Sequence, residues 1–139
     1  MPITTKRWND PRDADDGYRL LICRYRPRGV PREKESWDAW CKELGPSEPL
    51  HADAYGKHGE AIAFSEYERR FLAEMTRARF WIEGFAERVR RGEKLTLLCS
   101  SACVDPERCH RTIVKRLIEE AAFPRAKPAE PARVIRRRA

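Results

Sequence analysis

Lys94 to Ala122 reads KLTLLCSSACVDPERCHRTIVKRLIEEAA. Its first part, KLTLLC, is a short apolar run after Gly92, the pattern of a strand covered on both faces. Its last part predicts a helix. Asp105 stands as N-cap and Pro106 at the first helical position. Ile113, Val114, Leu117, Ile118 and Ala121 then fall on one face. A buried strand, a loop and a helix start are the parts of an α/β unit whose loop lines a ligand crevice. This reading puts Cys109, His110 and Arg111 in the first helical turn, where unpaired N–H groups favour anions.

Tyr18–Tyr25, YRLLICRY, predicts a second strand with an apolar centre. It stops at RPRGVP, where two prolines and a glycine end regular structure. Ile3–Trp8 is a weaker strand. The turn-rich link Asn9–Gly17 is short for a parallel crossover and leaves the direction of that first strand open.

Between the two main strands the periodicity is helical. Trp37, Trp40, Cys41 and Leu44 recur at i, i+3, i+4 and i+7, which predicts a helix over Glu33–Leu44. Ser65 and Glu68 fit a capping box ahead of a stripe made by Tyr67, Phe71, Leu72 and Met75. Ile82, Phe85, Ala86 and Val89 extend or restart that helix, and Gly92 stops it. Strands separated by helices predict an α/β fold, a small, largely parallel sheet flanked by helices in a single domain. The domain is expected over residues 1–123, with a basic Pro/Ala-rich flexible tail over 124–139.

Composition bounds the function. The chain has 139 residues, one domain's worth, and four Trp, four Tyr and five Phe supply core material despite 37% charged residues. No apolar run reaches membrane-helix length, and MPITTKRWND lacks a signal peptide's apolar stretch. A cytoplasmic protein is expected, with no membrane partner and with its five cysteines reduced. The formal charge of +7 sits mostly past Pro124, where six basic side chains oppose Glu130 alone. The basic pI therefore says little about the folded body.

Two turns carry the chemistry. Arg24, Arg26, Arg28 and Arg32 surround the turn after the second strand. If the two main strands are parallel neighbours, these arginines meet the Cys-His-Arg helix start at one sheet edge. Guanidinium groups converging there suit phosphate, carboxylate or nucleotide. Arg24, Arg28, Arg111 and Glu74 are the ligand-binding candidates: the arginines would hold the anion, and Glu74, beside the apolar stripe, is expected to pair with an arginine of the turn. Cys109 and His110 are the reactive groups if the site does chemistry, since a thiol at a helix start is acidified. The residues fit binding and catalysis alike.

No cofactor or metal is expected. Zinc would draw on Cys99, Cys103 and Cys109 with His110, but C-x3-C-x5-C-H is an unusual spacing, and adjacent Cys and His rarely aim at one ion. A phosphatase-type loop needs five residues between Cys and Arg, and Cys103 to Arg108 has four. The alternatives to a small-anion site are a nucleic-acid-associated protein using the basic tail and the arginine turn, and a small zinc protein. Taken singly, these residues also fit plain structural roles: Cys99 as a small core hydrophobe, the arginines as surface ion pairs.

As a set, KRW, DGYRLLICRYRPRGV, WDAW, ELGPS, the Tyr67/Phe71/Glu74/Met75 pattern and LTLLCSSACVDPERCHR resemble the domain of unknown function 488 family over most of residues 5–122. The resemblance implies a small α/β fold in which a strand ending in Arg and Pro lies near a Cys-His-Arg helix start. It carries over to Arg24, Pro27, Arg28, Gly29, Cys99, Cys109, His110 and Arg111. It implies no activity. SSAC after Cys99 departs from the family's pattern and sets Cys103 apart.

Overall fold

The sheet is built around the strand that comes last in the chain. Four strands, β1 (Ile3–Arg7), β2 (Tyr18–Leu21), β3 (Ala39–Trp40) and β4 (Leu95–Cys99), lie in the order β1-β4-β2-β3. All three pairings are parallel. The structure, a computed structural model, describes residues 2–125; residues 126–139 of the expected tail lie outside it. Every residue of β4 is buried, as its apolar run requires between two partners. Leu95 sits beside Ile3 on one flank and Tyr18 on the other.

The short first link is explained by this order. β1 and β2 are not neighbours, because β4 separates them. The link Trp8–Gly17 crosses β4 with one 3-10 turn, Ala14–Asp16. Gly17 ends it at φ +62°, and a Cβ there would lie 2.4 Å from the Lys94 carbonyl oxygen. Only glycine fits that approach.

Alternation along the strands sorts the two faces. Ile3, Leu20, Ile22, Leu95 and Leu97 join the main core. The helices α2 (Phe64–Met75), α3 (Arg79–Arg90) and α4 (His110–Ala122) cover that face. They bring Phe71, Ile82, Val89, Val114 and Ile118 to it. A seven-residue helix, α1 (Glu48–Ala54), adds Leu50. On the other face Leu21 and Leu98 pack with Trp37, Cys23, Cys99 and Cys109. Loops rather than helices cover it, so the flanking helices are mostly on one side.

Residues 33–44 correct the helix expected there. They form 3-10 turns at Arg32–Lys34 and Lys42–Leu44, with β3 between them. The four apolar residues do not share one face: Trp37 enters the second core, Cys41 and Leu44 the main one, and Trp40 stays 40% exposed. Sheet pairing overrides the periodicity. The Asp38 N–H donates to the Arg19 carbonyl at 2.7 Å and the Cys41 N–H to that of Leu21 at 2.8 Å.

Arg19 is the reason the segment is held extended. It is fully buried on the loop-covered face. Its Nε donates to the Ser36 carbonyl at 2.8 Å, and its terminal nitrogens reach the Asp16 carboxylate at 2.5 Å and the Asp10 carbonyl at 3.0 Å. Its own N–H donates to the Asp38 carboxylate at 2.8 Å. One side chain thus ties both loops to the sheet.

Two helix starts also differ from expectation. Ala63, without a side-chain cap, precedes α2, so Ser65 lies inside the first turn and forms no capping box. Asp105 caps only the 3-10 turn Pro106–Arg108, accepting from the Glu107 N–H at 3.1 Å. The chain then straightens at Cys109 before α4 begins. Among the described residues no helix is long and apolar enough to cross a membrane.

Candidate functional site

The turns after β2 and β4 meet at the carboxyl edge of the sheet, around a cavity of about 580 Å³. This is the position where a parallel sheet receives ligands. Arg24 and Arg28 line it from the turn after β2, and Arg108 from the turn after β4. Among the described residues Arg24 and Arg28 have no acid partner, whereas Arg108 has Asp105 at 4.0 Å. Arg26 is engaged elsewhere: it pairs with Glu35 at 3.1 Å and lies over the Trp37 ring.

Aromatic side chains share the lining with the arginines. Tyr25, His51, Tyr55, Phe64 and Tyr67 contribute to it. His51 makes an edge contact with Tyr25, centroids 5.0 Å apart, and packs against Tyr55 at 4.5 Å. The His51 Nδ1 is buried without a hydrogen-bond partner among the described residues. Burial, then the charge of Lys57, pushes the His51 pKa down, so the ring is neutral.

The third wall is sulfur-rich. Cys23, Cys99, Cys103, Cys109 and His110 all border the cavity. The Cys99 and Cys109 sulfurs are 3.2 Å apart. The Sγ atoms of Cys99, Cys103 and Cys109 lie within 4.8 Å of one another, a cluster that could hold a metal ion. All are free thiols, and Cys103 is the more exposed of the three. The cluster polarises itself: Cys109 and then Cys99 hydrogen-bond to Cys103 and lower its pKa against burial, with help from Arg111. The same contact to Cys103 raises Cys99 and Cys109.

His110 is oriented by the backbone. Its Nε2 lies 2.8 Å from the Ile22 carbonyl oxygen, which can only accept, so Nε2 carries the proton. Nδ1 then presents its lone pair 3.8 Å from the Cys99 sulfur and 3.9 Å from that of Cys109. Burial lowers the His110 pKa and keeps the ring neutral. Phe71 packs against the ring at 5.6 Å.

Cys109 is the N-cap of α4 rather than a first-turn residue. Its backbone is extended, and its sulfur accepts from the Arg111 N–H at 3.5 Å. The Arg111 side chain does not line the cavity. It is buried, with its Nε unpartnered among the described residues, and its charge helps to lower Asp10. Glu74 has no arginine: its carboxylate accepts from the Ser47 N–H at 2.8 Å and from the Ser47 hydroxyl. Ser47 is itself the N-cap of α1, so Glu74 anchors a helix start.

The structure thus brings Arg24, Arg28, Cys109 and His110 to one cavity and leaves Arg111 and Glu74 outside its lining. It adds Cys23, Tyr25, His51, Tyr55 and Arg108, which sequence reasoning did not select. Arg108 carried a signal, being basic and one residue ahead of the Cys-His-Arg run. His51 and Tyr55 stand in LHADAYGKHG, where no periodicity separates helix from turn.

Fold and site define a small all-parallel α/β protein with an arginine-rimmed, thiol-lined cavity at its sheet edge. Residues 3–122 match the family profile DUF488-N3a, described as the active DUF488-N3 subclade. The chain belongs to the DUF488 family. It is similar to uncharacterized protein YeaO of Escherichia coli (strain K12), 34% identical over 101 residues, covering 73% of this chain and 84% of YeaO. It is also similar to uncharacterized protein Rv3073c of Mycobacterium tuberculosis (strain H37Rv), 33% identical over 63 residues, covering 45% of this chain and 51% of that one. No solved structure matches.

Proposed function

We propose that the chain binds a small anionic, nucleotide-like ligand in the cavity at the carboxyl edge of the sheet. Arg24 and Arg28 hold the anionic group from one turn and Arg108 from the other. The wall of Tyr25, His51 and Tyr55 receives an aromatic ring. The observation that carries this reading is the pairing of Arg24 and Arg28, without acid partners among the described residues, with aromatic side chains in one cavity. Unpaired guanidinium groups recognise phosphate or carboxylate oxygens by two parallel hydrogen bonds, and a flat ring stacks on the wall.

The test is thermal unfolding of the full chain against a panel of nucleotides, nucleosides and inorganic phosphate. A nucleotide is expected to raise the melting temperature more than its nucleoside or phosphate alone. Arg28→Ala should remove most of that rise, and Arg24→Ala part of it. A panel with no stabilising member, or stabilisation that survives the Arg24→Ala/Arg28→Ala double variant, overturns the reading.

A further inference from the structure

Beyond the ligand reading, and independent of it, we propose that Cys99, Cys103, Cys109 and His110 form a site for a zinc ion. Two of the sulfurs and the histidine nitrogen stand near the spacing of a loaded centre. Zinc–sulfur bonds of about 2.3 Å and zinc–nitrogen bonds of about 2.0 Å, arranged tetrahedrally, put sulfurs roughly 3.8 Å apart and sulfur roughly 3.5 Å from nitrogen. The Cys99 and Cys109 sulfurs stand at 3.2 Å, and the His110 Nδ1 lies 3.8 and 3.9 Å from them. Cys103 closes the group from the cavity side, its Sγ within 4.8 Å of the other two.

Three further features fit an ion. First, the His110 Nε2–H donates to the Ile22 carbonyl, which fixes the lone pair of Nδ1 toward the sulfurs. Metal-ligating histidines are held by an outer partner in this way. Second, the spacing objection to an adjacent Cys and His disappears at the helix start. Cys109 is extended at φ −137° and ψ 142°, whereas His110 opens α4, and the change in direction aims both side chains at one point. Third, the charge balances. A zinc ion with three thiolates and a neutral imidazole carries one net negative charge. The buried Arg111 next to it supplies a positive one; its backbone N–H donates to the Cys109 sulfur, and its side-chain Nε has no partner among the described residues.

Binding is a ligand exchange without redox change. Each of three thiols gives its proton to solvent, its sulfur donates a pair to the metal, and the ion sheds water. The soft sulfur set with one imidazole selects zinc over magnesium or calcium. Access is through the cavity, past Cys103.

The experiment uses the full chain, reduced and stripped by chelator, with zinc or cobalt as the only additive. One equivalent of metal is expected to bind, and cobalt should give the thiolate charge-transfer band and the visible bands of tetrahedral coordination. Zinc should protect Cys99, Cys103 and Cys109 from alkylation, mapped by mass spectrometry, and leave Cys41 unchanged. Cys103→Ser should weaken zinc binding by at least about a hundredfold, beyond the roughly 10–100-fold that loss of an outer partner costs; Cys41→Ser should not weaken it. If Cys103→Ser does not fold, the labelling of the wild-type chain decides. Substoichiometric binding of both metals, binding without protection of the three cysteines, or wild-type affinity in a folded Cys103→Ser chain would each refute the site.

Discussion

Two polar clusters flank the strands β2 and β4, one buried near their starts and one partly exposed past their ends. At the start, Arg19 and Asp16 are saturated. Arg19 donates to carbonyls and carboxylates of both loops, Lys6 reaches Asp16 at 2.8 Å, and Thr96 donates to the Asp16 carbonyl at 2.7 Å. Past the ends, the opposite holds. The His51 Nδ1 and Arg111 Nε are two of the three buried side-chain atoms without a partner among the described residues, and the half-buried Arg24 and exposed Arg28 have no acid there. A buried polar group with all its bonds made is architecture. One left wanting has a reason that lies outside the chain's own packing. The same strands thus hold the fold at one edge and carry the proposed ligand cavity at the other.

The comparison breaks first at Arg19. Arg19→Met should cost about 3–5 kcal/mol in denaturant unfolding, because it strands a buried carboxylate and several carbonyls. Arg111→Met, in metal-free protein, should cost less than about 1 kcal/mol, since that guanidinium gives up few bonds. Equal losses would erase the distinction between the two clusters.

Acid sharpens it next. Burial alone would raise the Asp16 carboxyl, but the hydrogen bonds from Lys6, the Asp13 N–H and Arg19 outweigh burial and hold it below its ordinary value. A depressed carboxyl contributes stability above its unfolded pKa of about 3.9, and loses it as pH falls through the folded value. The wild-type chain should therefore lose stability below about pH 4. Asp16→Asn should be less stable by about 1.5–3 kcal/mol at pH 7 and lose less on that descent.

A smaller effect is expected where a satisfied pair was assigned to the ligand. Ser47→Ala removes the cap of α1 and the partner of Glu74, and should cost about 1 kcal/mol of stability. It should leave nucleotide-induced stabilisation intact; a loss would return Glu74 to the binding site. The smallest effect belongs to Arg24→Ala and Arg28→Ala without ligand, each within about 0.5 kcal/mol of wild type in urea unfolding.

The fold was legible where burial follows periodicity. β2, β4, the Tyr67/Phe71/Met75 stripe and α4 are each driven by an apolar face, and all were read from spacing. Residues 33–44 were not, because their conformation depends on Arg19, a contact across 17 residues to Ser36. An arginine inside YRLLICRY carries no mark that it is buried. The meeting of two turns at one sheet edge followed from two strands being parallel neighbours, so Arg24, Arg28, Cys109 and His110 were found together. Arg111 and Glu74 were misplaced for local reasons. The 3-10 turn at Pro106–Arg108 delays the start of α4 to His110, and Ser47 claims Glu74. Spacing rules also set little store by the thiol cluster that could hold a metal ion, because spacing does not show Cys99, Cys103 and Cys109 meeting in space.

The middle position of β4 also bears on how the chain is made. Thr4 and Thr96 touch across the sheet although they are 92 positions apart in the chain. As the chain leaves the ribosome, β1 emerges with no strand to join and β2 with only the two-residue β3, since the common neighbour of β1 and β2 is still unsynthesised. A nascent chain stalled before Leu95 should hold helices and at most the short β2–β3 pair, with β1 unjoined. The sheet is then completed by insertion of one late segment, and the cavity forms in the same event, because Cys99, Cys103 and Cys109 arrive with β4 and the loop after it.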